Sequence, residues 1–382
     1  MENNFYTDTI LEKDDVCNLF KERARLDQGL KKGQKMLVFG RRNSGKTSVV
    51  KNIVGKDWVA SQRNSVFVYI DFFGVETVDQ MLSRMYSGLA GSLKRSFPIQ
   101  QTLLTALDII KRLRPSLKVD DSGSPSISLE ISSEGKGGLE SFFAALTELH
   151  LKKHHVCLVF DEFQDIHKIP EVEGLLRDHL QNLPAKLPVV LMGSKKHILA
   201  QMFSSPKRAF FNWGDHIEFG HIPYEEYTAY INARLRKYKL EMSHQVSEHL
   251  QNAVNRDPEA VNRICQELLS TFGEAGSKVR SITNLDVEEA LAVLLEKRQS
   301  SMEEYLRHFT PAEERVLVAF AKQNGKVSLP TGKEFLAKSR LTSGGMKKIL
   351  DRFVDDAVLY HEGQEFIVSD VFVWRHLKVF RA

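Results

Sequence analysis

Residues 40–47 read GRRNSGKT and fit the phosphate-loop spacing GxxxxGK[ST] at every fixed position. No other feature constrains the fold so tightly, because such a loop must leave a buried strand and enter a helix. The flanks meet both conditions: KMLVF (35–39) is an apolar strand candidate, and SVVKNIV (48–54) has helical spacing. Gly40 and Gly45 stand where a Cβ would restrict the backbone or its approach to a ligand. Asn43, Ser44 and Ser48 complete the stretch whose successive N–H groups would surround phosphate. Lys46 supplies a point charge for the β- and γ-phosphates, and Thr47 a hydroxyl for Mg²⁺. ATP and Mg²⁺ are therefore the expected ligands.

A second signal lies at HVCLVFDEFQDI (155–166), where an apolar run suited to a strand buried on both faces stops at Asp161 and Glu162. Open parallel sheets place ligand chemistry at such carboxyl ends. Asp161 is expected to hold Mg²⁺, directly or through water, and Glu162 to orient and polarise an attacking water. Further strand candidates at 65–73 and 187–194 alternate with helical segments, the rhythm of a doubly wound parallel sheet. The latter ends in Ser194, placed to read the γ-phosphate or the water. The fold class expected is α/β: a P-loop ATPase core with a parallel sheet, a helical lid and a C-terminal winged helix-turn-helix domain.

The segments LFKERARLDQGLKKGQKMLVFGRRNSGKTS, VYIDFF, LVFDEFQDI, VVLMGS and MFSSPKRAFFNWGDHIEFG occur in that order. Together they resemble the prokaryotic "archaeal-type" P-loop ATPases of the STAND clade, relatives of AAA+ proteins, from about residue 19 to the carboxyl terminus and most weakly between 96 and 138. The resemblance implies that Arg23, in the opening helix, packs near the nucleotide, and that Arg208 is suited to act as a finger across a subunit boundary. It also implies a lid turn reading glycine-x-proline. Here that turn reads Arg256-Asp257-Pro258, and Arg256 or Arg263 could instead touch phosphate.

Boundaries are expected at 1–220 for the core, 221–300 for a lid of amphipathic helices and 301–382 for the winged-helix domain. The stretch 115–138 is rich in Ser, Gly and Pro and reads as an exposed excursion carrying a short hairpin at SISLEIS. In the last domain, three helical segments from residue 310 precede LYHEGQEFIVSD, two strands about a turn. Its expected recognition segment, 341–356, sets Lys347, Lys348 and Arg352 against Asp351, Asp355 and Asp356, and the wing carries Glu362, Glu365 and Asp370 without a lysine or arginine. Acids there oppose a duplex, so an unidentified protein partner or an autoinhibitory role is preferred to DNA. The alternative is a DNA-associated ATPase of the initiator or transposition-regulator kind. Homo-oligomerisation on ATP binding is the expected context for Arg208.

The net charge of +4 over 382 residues leaves at best a weak whole-molecule attraction to nucleic acid or lipid, so any basic surface must be local. No apolar run approaches the ~20 residues of a membrane-spanning helix, and the opening MENNFYTDTILEKDD has no secretory pattern. No membrane role is expected, and the cytoplasm is the default location. Cys17, Cys157 and Cys265 are spaced as separate buried thiols, and His150, His154 and His155 as a solvated helix end.

Overall fold

The central strands are apolar throughout because the sheet they form is covered on both faces. In the computed structural model, which describes residues 5–7, 9–17, 19–97, 135–273 and 278–381, β1 (Lys35–Gly40), β2 (Ser65–Asp71), β3 (His155–Asp161), β4 (Val189–Gly193) and β5 (Asp215–Phe219) pair in the order β2-β3-β4-β1-β5. Every pairing in this sheet is parallel. The residues divide with period two. Leu37, Leu158, Phe160, Val189 and Leu191 enter one apolar cluster, while Met36, Val38, Cys157, Val159, Val190 and Met192 enter another.

Helices complete the two layers. On one face lie α1 (Phe20–Lys32), a π-helical segment (Ser48–Val54) and α2 (Gly55–Ser61). The other holds α3 (Val78–Ser96), α4 (Gly135–Leu151), α5 (Val172–Gln181) and α6 (Lys196–Ser204). The helix expected after the phosphate loop is thus wound as a π-helix over Ser48–Val54, a form frequent at functional sites. β1 leads to the first face and its neighbour β4 to the second, so a crevice opens outside their carboxyl ends. That is the topological switch point where open parallel sheets bind ligands.

The chain divides into two compact units, residues 10–220 and residues 1–9 with 221–382. In the second unit the sequence pattern appears as α7 (Tyr224–Leu235), α8 (His244–Ala253), α9 (Pro258–Phe272) and α10 (Asn284–Leu306). Two short parallel strands, β6 (Leu240–Met242) and β7 (Arg280–Ile282), are added. They escape a periodicity argument because three residues cannot establish a period. α10 runs through residue 300, held at its start by the Thr283–Asp286 capping box.

Then follow α11 (Pro311–Ala321), α12 (Lys333–Ser339) and α13 (Ser343–Asp355). Three antiparallel strands, β8 (Lys326–Val327), β9 (Leu359–Glu362) and β10 (Glu365–Val368), pair in the order β8-β10-β9, and α14 (Val371–Phe380) closes the unit. Thr310 and Glu313 cap α11 reciprocally, and Glu313 also pairs with Arg352 at 2.5 Å. Asp370, counted among the wing acids, caps α14 by accepting from the Phe372 N–H at 2.8 Å.

All three cysteines are buried, and none is in a disulfide. His154 meets Phe97 edge-on at 5.0 Å, and no metal-holding group of three or more His, Cys, Asp or Glu occurs among the described residues. No helix among them is long and apolar enough to cross a membrane. The excursion and hairpin read at 115–138 lie outside the described residues except where α4 begins.

Candidate nucleotide-binding site

The two glycines of the loop serve different needs. A Cβ on Gly40 would stand 2.6 Å from the Phe219 carbonyl oxygen of β5, so its glycine permits close strand approach. Gly45 has φ +84°, in the left-handed region where a Cβ is strained. Leu19, at the head of α1, packs over the loop, with its Cδ1 3.6 Å from where a Gly45 Cβ would stand. Asn43 is exposed at φ 60°.

Lys46 is 5% exposed and curls over the loop, its Nζ donating to the Gly40 and Arg41 carbonyls at 3.0 and 2.7 Å and to Ser44 Oγ at 3.3 Å. Burial pulls its ammonium down to about 8, opposed by Glu162 and Asp161 and reinforced by Arg42. Ser48 is committed elsewhere. Its Oγ accepts the Leu11 N–H at 3.0 Å and anchors the segment that precedes α1.

Thr47 and Asp161 are 114 residues apart in sequence, yet Thr47 Oγ1 donates to Asp161 Oδ2 at 2.8 Å. The hydroxyl, on the helix that leaves the loop, and the carboxylate, at the end of β3, are hard oxygen donors, and they suit a small divalent cation that keeps several waters. Sequence reading missed a third member of this group. Tyr69, on β2, donates its phenol to the same Asp161 Oδ2 at 2.5 Å, while Lys51 Nζ lies 4.5 Å from its ring centroid. Burial, then the adjacent carboxylate, pushes the phenol above its ordinary value and keeps it a donor. The remaining Asp161 oxygen accepts the Glu162 N–H at 2.9 Å.

Glu162 has φ 48°, a left-handed conformation that turns its side chain away from the strand's alternation. Ser194 Oγ donates to Glu162 Oε2 at 2.8 Å, and Gln164 Nε2 donates to the same oxygen. The strand order explains the meeting, since β4 lies between β1 and β3 and delivers Ser194 beside the acidic pair. Next to it, Asp165 accepts the Gly74 N–H at 2.9 Å and lies 3.9 Å from Lys195 Nζ.

Lys46, Thr47, Asp161, Glu162 and Ser194 thus gather at one end of the sheet. Arg23, one turn into α1, donates to the Val16 carbonyl at 3.2 Å. Arg208 stands beyond α6, 40% exposed, and its guanidinium pairs with Glu173 at the start of α5. In the second unit Arg256 has φ 55°, so an arginine holds the left-handed conformation for which the expected glycine is suited. Its guanidinium donates to the Ile222 carbonyl at 2.6 Å, and Arg263 pairs with Glu259 at 2.6 Å.

The model of the KAP family P-loop domain matches residues 43–252, more than half of the chain. Among solved structures, a Walker-type ATPase of Pyrococcus abyssi superposes with TM-score 0.64 at 15% identity, over 98% of this chain and 99% of that one. The Orc2 protein of Aeropyrum pernix, solved as ADPNP–ADP complexes, gives 0.56 at 13% identity over 99% and 96%. Orc1 of the same organism, solved in complex with DNA, gives 0.53 at 13% over the same shares. At these identities the likeness shows the fold. No curated protein sequence matches.

Proposed function

The chain belongs to the KAP family of P-loop domains, and from that premise we propose that it is a Mg²⁺-dependent ATPase, a STAND-like relative of AAA+ proteins that acts as a switch on a protein partner. One observation carries the reading: the Thr47–Asp161 contact and the Ser194–Glu162 contact, each 2.8 Å, stand side by side at the carboxyl ends of β3 and β4, beyond the phosphate loop. The nucleotide complexes of the Orc2 neighbour accord with it.

In this reading the loop N–H groups and Lys46 bind the triphosphate. Thr47 and Asp161 would hold Mg²⁺, which when bound neutralises charge on the β- and γ-phosphates. Glu162 accepts a proton from water as the water attacks the γ-phosphorus and the bond to the β–γ bridging oxygen breaks, with ADP leaving, and Ser194 holds that carboxylate in place. Hydrolysis then changes how the helical lid and the winged-helix-like C-terminal part are arranged, and the partner reads the change. Phosphate release from ATP that requires Mg²⁺ tests the chemistry.

Arg208 completes the reading as a finger supplied to a second copy, after exchanging Glu173 for phosphate. Arg208→Ala should leave ATP binding intact and lower turnover, and wild-type turnover per molecule should rise with protein concentration. Mixing Arg208→Ala with Lys46→Ala should restore activity, because one chain then supplies the loop and the other the arginine. No recovery in a proven oligomer sinks the trans assignment.

A second reading is favoured by the distribution of charge along α13. Lys347 and Lys348 are exposed in its first half, whereas Asp351 and Asp355 follow them and Arg352 is engaged by Glu313 and Asp356. Helix-turn-helix proteins present the first half of that helix to bases. A DNA-associated ATPase should therefore bind a labelled duplex with affinity that falls steeply with salt and requires ATP. Salt-insensitive or absent binding leaves the protein-partner reading.

A further inference from the structure

The acidic strand end contains a side chain that the proposed chemistry does not use. Gln164 is 1% exposed, on the 3-10 turn Phe163–Lys168 that follows β3. Its backbone is pinned on both sides: the Asp165 N–H donates to the Glu162 carbonyl at 3.0 Å, and His167 Nδ1 lies 2.7 Å from the Gln164 carbonyl. Its amide fits against the end of β4, where a Cβ on Gly193 would stand 2.1 Å from Gln164 Oε1. Glycine at 193 is what makes room for it.

Gln164 and Ser194 both donate to Oε2 of Glu162. Two donors on one oxygen fix the carboxylate's rotation and leave Oε1 as the acceptor for water. The amide must present its NH₂ group here, because its carbonyl would repel the carboxylate. We infer that Gln164 is the positioning residue for Glu162: wedged beneath Gly193, it ties the water-orienting carboxylate to the tip of β4, so that Glu162 and Ser194 meet substrate as one unit. This rests on Glu162 having the role proposed above.

The test uses the full chain, with fluorescent ATP analogue for binding and phosphate release for turnover. Gln164→Met keeps length and burial but removes the donor. It should lower kcat by about 10- to 100-fold, the range expected when a reacting group is displaced by about an ångström. Kd and KM for ATP should stay within about twofold, since no ground-state contact is removed. In a Glu162→Gln background, single-turnover hydrolysis should fall no further when Gln164→Met is added. A structural defect would instead multiply with it.

Gly193→Ala approaches from the other side. The atoms it meets, Gln164 Oε1 at 2.1 Å and Leu199 Cδ1 at 2.9 Å, are the far ends of flexible side chains, so the strand should persist while the amide is displaced furthest, with the same selective loss of kcat. This variant decides the matter should Gln164→Met fail to fold. Wild-type kcat in the folded variants, or a loss that multiplies in the Glu162→Gln background, overturns the inference alone. Wild-type turnover by Glu162→Gln overturns the ATPase assignment of Glu162, and the inference with it.

Discussion

Lys46→Ala is expected to weaken ATP binding about 10²-fold, near 3 kcal/mol, while the protein remains folded. The loop would keep its N–H groups but lose the one full charge aimed at the terminal phosphates. The fold should tolerate the change, because the ammonium is buried at a cost and its partners are two loop carbonyls and a hydroxyl rather than a carboxylate. The same burial makes binding depend on pH. With the free ammonium pulled down to about 8, the charged form dominates below that value and is lost as pH rises through it. ATP favours the charged form, so affinity should be full at about pH 7 and decline above about pH 8, with proton uptake on binding. In Lys46→Ala that decline should vanish. Titration calorimetry in buffers of different ionisation heat measures both effects, and unchanged affinity in the variant would sink the site assignment.

Glu162→Gln is expected to separate binding from hydrolysis. The substitution keeps shape and leaves Thr47 and Asp161 untouched, but removes the carboxylate that takes the proton from water. Turnover should fall by roughly 10²-fold or more while nucleotide affinity persists. Loss of binding together with turnover would make Glu162 structural or metal-bound and reverse its division of labour with Asp161. Because the variant accumulates the ATP-bound state, it is also the form that should retain a protein partner longest, and a pull-down with it should outperform one with Lys46→Ala.

Local patterns announced much of this molecule. The phosphate loop is a contiguous motif whose chemistry depends on backbone and side chains within eight residues, so it was readable outright. β1, β3 and β4 were legible because a strand covered on both faces is apolar at every position. The acidic pair was legible because that run stops abruptly at Asp161. The helix start at Thr310 carries its own cap. These features arise from interactions between residues near in the chain, and periodicity and composition record such interactions.

What surrounds the acidic pair was decided by tertiary structure. Tyr69 reaches Asp161 only because β2 pairs with β3 in the register that sets Tyr69 opposite Val159 and Asp71 opposite Asp161. Ser194 reaches Glu162 only because β4 is inserted between the strand of the loop and the strand of the acids. Gln164 looks like any polar residue after a strand until the bare Cα of Gly193, 29 residues later, is seen to admit it. Arg208 lies in the turn beyond α6 and Glu173 at the start of α5, 35 residues earlier, and nothing in either segment marks the pair. Strand order and register are set by the summed packing of two apolar layers across the whole sheet. A sequence read locally could therefore name the loop, the acids and Ser194, while their positioning partners emerged only once both layers had closed.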